Sequence, residues 1–150
     1  TMCNFILLSC DSDTDLTQFN GEQLELTSLE YDLKLNPELE YLKYQHYWLL
    51  GATQTHGCAC GFLRTCFKNK FKFCQSEPWM NESTEEREAT IAFYSMIESL
   101  LKRDIKIDSF DLFDDHNGKT PCLKSMSVSL NSVTPRVFRF FEQVHFNYTT

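Results

Sequence analysis

The run from Ser83 to Arg103 is the element that most constrains how this chain can fold. Ser83 with Glu86 three residues later is a capping box, in which each side chain accepts from the other residue's backbone N–H and so starts a helix. Behind it, Ala89, Ala92, Phe93, Met96, Ile97, Leu100 and Leu101 recur at the spacing of one helical face. Lys102 and Arg103 then put positive charge at the negative end of the helix dipole. A helix with one apolar stripe has to lay that stripe on another element, and the rest of the chain offers strands.

Cys3 to Cys10 is an apolar run that suits a buried first strand. Leu24, Leu26 and Leu29 alternate with polar residues as a half-exposed strand does. Pro37 breaks the chain before Leu39 to Leu42, a short strand or a helical turn. His46 to Thr53 reads as a central strand. Phe67, Phe71 and Phe73 with lysines between them suggest a charge-protected edge strand. Ile105, Ile107, Phe110 and Leu112 mark another strand. Asn117-Gly118 then signals a hairpin to a return strand over Leu123 to Val133. The last segment, 135–148, reads equally as a short helix or a final strand, and its phenylalanines read as core. The sum is an α+β fold, a mainly antiparallel sheet with one long amphipathic helix at about 83–103 packed on a face. At 150 residues this is a single domain, 1–150. With 42% apolar residues and 13 Phe, the core needs neither disulfide nor metal to form.

Charge narrows the function. A net charge of −7 argues against binding nucleic acid, which requires a basic surface. Lys68, Lys70 and Lys72 do not reverse that balance. The acidity suits docking onto a basic protein, as an immunity-type inhibitor would dock onto a basic partner. The apolar run at Asn4 to Cys10 is too short to cross a membrane and has no basic residues before it, so neither a membrane span nor a secretory leader is expected. Seven cysteines, an odd number, then point to a reducing cytoplasm and free thiols.

The chemistry concentrates in His56-Gly57-Cys58-Ala59-Cys60-Gly61-Phe62. If the stretch is extended, His56, Cys58 and Cys60 share one face, roughly 6.5–7 Å apart. Three readings stay open. The residues are ligands for zinc or iron, with Cys66, Cys74 or Cys3 completing the set. They are reactive thiols, with His56 stabilising a neighbouring thiolate. Or the cysteines are small core apolar groups. An unstrained Cys58–Cys60 disulfide is disfavoured in a strand, because the α-carbons must lie within about 7 Å. Cys3 is the expected remote contributor, since the first strand is the natural partner of the strand that leads into the motif.

Other patterns are weaker. Cys3 would become an N-terminal nucleophile if Thr1 and Met2 were removed, which would make the protein an N-terminal-cysteine hydrolase. Asp11, Asp13, Asp15 and Glu22 fit positions of a calcium loop, but Leu16 stands where that loop needs glycine. Asp111, Asp114, Asp115 and His116 form an acidic cluster that reads as a wet turn.

Met2-Cys3 together with His56-Gly57-Cys58-Ala59-Cys60-Gly61-Phe62 resembles a group of small bacterial proteins of no known activity. The resemblance covers under a tenth of the chain. It implies a bacterial, cytosolic origin and that the two cysteine regions belong together, and it assigns no role to any residue.

Overall fold

In the computed structural model, which describes residues 3–64, 71–114 and 118–150, a six-stranded sheet carries one long helix. The strands are β1 (Cys3–Cys10), β2 (Leu24–Leu29), β3 (His46–Ala52), β4 (Ile107–Asp114), β5 (Lys124–Ser129) and β6 (Val144–Thr149). The helix, α1, is Thr84–Lys102. The strands lie in the order β2-β3-β1-β4-β6-β5, antiparallel throughout except for the parallel pair β5–β6.

Burial explains this order. Ile6 to Cys10 are all buried, so β1 has to be covered on both faces and lies between β3 and β4. Ala89, Phe93, Met96, Ile97 and Leu100 of α1 pack on one face, against Ile6, Leu8, Leu50, Phe146 and Tyr148. The opposite face is covered by a 3-10 turn at Pro37–Tyr41, whose Leu39 joins Leu7, Phe110 and Leu112. The expected capping box is present. Glu86 N donates to Ser83 Oγ at 3.1 Å, and Ser83 N donates to Glu86 Oε1 at 2.8 Å.

Two strand expectations are corrected. β5 does not return along β4, because β6 lies between them. Val144, His145, Phe146 and Tyr148 are buried, whereas Lys124, Ser125 and Ser127 are exposed. The strand buried on both faces takes the interior position, and the polar one takes the edge. The expected edge strand at Phe67, Phe71 and Phe73 lies partly outside the described residues, and Phe71 and Phe73 are not in a strand. Phe73 instead turns its ring inward, with its centroid 4.6 Å from that of Phe141 and 5.8 Å from that of Phe146. The last segment resolves as a turn followed by β6, and Phe138, Phe140 and Phe141 are core.

The acidic patterns also settle. Asp15 caps a 3-10 turn at Leu16–Phe19, accepting from Thr17 N at 2.9 Å, and Leu16 is buried rather than at the tip of an ion loop. Asp111 is buried in the sheet and does not wet a turn. Asp115 and His116 lie outside the described residues.

Candidate metal centre

The segment after β3 is not extended as the alternating pattern suggested. It folds into two 3-10 turns, Thr53–Thr55 and Ala59–Gly61. The cause is a close approach of backbones. A side chain on Gly51 would collide with the main chain of Gly57, so the loop folds flat over the end of β3. Gly57 turns at φ +86°, a conformation that suits glycine. Gly57 N then donates to Ala52 O at 3.0 Å and Ala52 N to Cys58 O at 3.1 Å. Thr55 Oγ1 fastens the same turn to Cys58 O at 2.5 Å.

This fold gathers thiols and separates the histidine from them. The sulfur atoms of Cys3, Cys58 and Cys60 all lie within 4.8 Å of one another. Cys58 is the N-cap of the second turn, where its Sγ accepts from Cys60 N at 3.4 Å. A 3-10 turn rises about 2 Å per residue against about 3.3 Å in a strand, so the two cysteines come closer than extended chain allows. Their sulfurs are 2.9 Å apart. Cys3 arrives from β1, which pairs with β3 as the sequence suggested. His56 is exposed, sits at φ +56° as the cap of the first turn, and is not in the sulfur group. Cys74 is also outside that group, and Cys66 lies outside the described residues.

Residues that the sequence did not flag shape the surroundings. Asn4 N donates to Cys60 Sγ at 3.4 Å, and Cys58 Sγ donates to Asn4 O at 3.7 Å. Arg64 lies beside the turn and gives Nη1 to Ala59 O at 2.5 Å. Its Nε and Nη2 pair with Asp111 at 2.9 and 3.1 Å. Cys60 opens onto a cleft of about 310 Å³ that Arg64, Met80 and Glu86 also line. Burial pushes the Cys60 thiol above its ordinary value, and the neighbouring Cys58 thiol pushes the same way. The Asn4 N–H and the Arg64 charge pull it back without overcoming the rise. Asp111 is likewise raised by burial, against the pull of Arg64. The sequence signal for these residues was slight: Arg64 follows the motif closely, and Asp111 sits on a strand whose neighbours are apolar.

Three thiols so disposed can do two things. Deprotonated, they can bind a soft metal ion. A tetrahedral site with metal–sulfur bonds of about 2.3 Å needs sulfurs about 3.8 Å apart, within the spread found here. Oxidised, Cys58 and Cys60, with sulfurs 2.9 Å apart, can form a disulfide. Comparison with protein-family models, with curated proteins and with solved structures finds no match to this chain. Among the described residues, no helix is long and apolar enough to cross a membrane.

Proposed function

We propose that this protein binds a transition-metal ion, zinc by the chemistry of its donors, through Cys3, Cys58 and Cys60. The observation that carries the reading is the convergence of three sulfurs from two distant parts of the chain within 4.8 Å. Thiolate sets favour zinc and other soft ions over magnesium or calcium. Three protein ligands leave a fourth position open to water or an exchanging partner, which suits a site that reacts or hands its ion on. Three thiolates around a divalent ion carry net negative charge, and the Arg64 guanidinium beside Cys60 offsets part of it.

The test is titration of the untagged, reduced protein with Co²⁺ as a spectroscopic stand-in, followed by displacement with Zn²⁺. The expected result is one equivalent bound, a sulfur-to-cobalt charge-transfer band, and loss of both in Cys58→Ser and Cys60→Ser. A protein that binds no ion while all its thiols titrate freely would overturn the reading.

The 2.9 Å gap between Cys58 and Cys60 supports a second reading. On oxidation by a disulfide such as oxidised glutathione, these two thiols give up two protons and two electrons. They form one S–S bond, and the oxidant is released as two thiols. Intact mass after such treatment reads the loss of two hydrogens, and peptide mapping assigns it to this pair.

A further inference from the structure

On the sheet face opposite α1 lies a row of polar side chains that the cysteine centre does not use. Ser9 of β1, Asp108 of β4 and His145 of β6 are buried, while Ser125 of β5 is exposed. His145 Nε2 lies 2.7 Å from Asp108 Oδ2, and His145 Nδ1 lies 2.7 Å from Ser125 Oγ. The register makes this row. Ser125 and Phe110 are both cross-strand partners of His145, and Asp108 shares the face of Phe110 two residues earlier. Asp108 is held in turn by Lys43 N, which donates to Oδ2 at 2.7 Å, and by the Ser9 hydroxyl, which donates to Oδ1. Tyr44 N donates to Ser9 Oγ at 3.1 Å and fixes that hydroxyl.

With Asp108 ionised and the ring neutral, the partners place the protons in one way. An ionised carboxylate only accepts, so the imidazole nitrogen facing Asp108 carries the N–H. In the neutral ring the other nitrogen, Nδ1, is then an acceptor, and the Ser125 hydroxyl donates to it. The serine oxygen keeps its lone pairs, on a residue that is exposed. We propose that Ser125 is a nucleophile for acyl transfer from carboxylic esters, with His145 as its general base and Asp108 positioning the ring. The ring is turned so that Nδ1 meets the serine, and the two nitrogens exchange roles without changing the path of the proton.

The chain of bonds begins on the buried β1 and ends on an exposed residue of the outermost strand. β5 ends the sheet order, and among the described residues no strand pairs with its outer side. In the proposed reaction, the oxyanion that forms during attack is set against main-chain N–H groups of that edge. In the first step, the Ser125 oxygen bonds to the acyl carbon and the carbon–alkoxy bond breaks. The serine proton passes to His145 Nδ1 and then to the departing alcohol. In the second step, water attacks the acyl-serine and gives a proton to His145 as the carboxylic acid leaves. His145 returns that proton to Ser125.

The test uses the full chain with its thiols capped by iodoacetamide, so that neither metal binding nor cysteine acylation contributes. A fluorophosphonate probe is expected to add once, at Ser125, and p-nitrophenyl acetate is expected to give a burst of nitrophenolate equal to the protein present. Ser125→Ala, at an exposed position, removes the label and lowers ester turnover about 100-fold or more, while Ser127→Ala on the same strand changes neither. Asp108→Asn lowers kcat and leaves KM unchanged, as a residue acting through the ring would. Absence of label, label at another residue, or a Ser125→Ala protein as fast as the parent would overturn the proposal. An unchanged kcat in Asp108→Asn would remove Asp108 from it.

Discussion

Arg64 grips Asp111 with two parallel N–H groups, Nε at 2.9 Å and Nη2 at 3.1 Å, while its remaining nitrogen holds the carbonyl of Ala59. Ala59 stands between Cys58 and Cys60. One side chain thus ties the thiol-bearing turn to β4, near the middle of the sheet. The carboxylate is buried and the guanidinium nearly so. Loss of either partner leaves the other charged group without compensation, which costs about 3–5 kcal/mol at buried pairs. Arg64→Met is therefore expected to lower the urea midpoint strongly and to release the turn. Arg64→Lys, which keeps the charge but not the two-pronged geometry, falls between. Equilibrium denaturation of the three proteins checks the order.

The close contact of Gly51 with Gly57 makes a sharper steric prediction. Gly51→Ala drives a methyl group into the Gly57 main chain, which cannot move aside as a flexible side chain would. A loss of about 1–3 kcal/mol follows from overpacking. Because the displaced loop carries Cys58 and Cys60, the proposed metal binding is expected to weaken as well. Gly21→Ala is the control, since nothing lies within 4 Å of the added carbon. Thermal melts with and without zinc separate the two variants.

How much of this was readable beforehand depends on the range of the forces involved. The helix was legible because a capping box and a periodic stripe act over a few residues. The pairing of β1 with β3, and with it the approach of Cys3 to Cys58 and Cys60, followed from two strongly apolar runs. The turn geometry was not legible. Alternate spacing in His56-Gly57-Cys58-Ala59-Cys60 looks like a strand until Gly51 is known to press on Gly57. The placement of β6 inside β5 was hidden for a similar reason: Asn117-Gly118 is a local signal, and burial of both faces of β6 is a global one. Asp108 and His145 look like ordinary surface residues in a sequence. A clue was present, however, since Asp108 shares its strand face with Phe110 and Leu112, where an acid must be buried and paired.

Glu82 and Arg139 set a pH dependence. Arg139 is fully buried and pairs with Glu82 through Nη1 at 2.5 Å and Nη2 at 3.0 Å. Burial alone would raise the Glu82 carboxyl, but the Arg139 and Ser76 hydrogen bonds and the Arg139 and Arg87 charges outweigh it and lower the value below the ordinary 4.5. A carboxyl lowered by folding binds fewer protons in the folded state than in the unfolded one, so stability rises with pH across that window. The contribution is complete above about 4.5 and is lost as pH falls through the lower folded value. Glu82→Gln is expected to flatten the acid limb of a stability-against-pH curve. An acid limb of unchanged steepness would contradict the assignment.

The raised Cys60 thiol fixes the direction in which pH would act on the proposed metal centre. At neutral pH this sulfur keeps its proton, and an ion must displace it to bind. Affinity therefore climbs with pH, about tenfold per unit for each proton released, until the thiol ionises unaided. Arg64 is the nearby cation that counters the rise. With Arg64 replaced by Met the thiol moves further up, so zinc binding weakens most at neutral pH and recovers as pH approaches the thiol's own value. Competition with a chromophoric chelator between neutral and alkaline pH reads both curves. Parallel curves, offset equally at every pH, would mean that Arg64 acts only by holding the turn. Convergence at alkaline pH would mean that its charge acts on the sulfur directly.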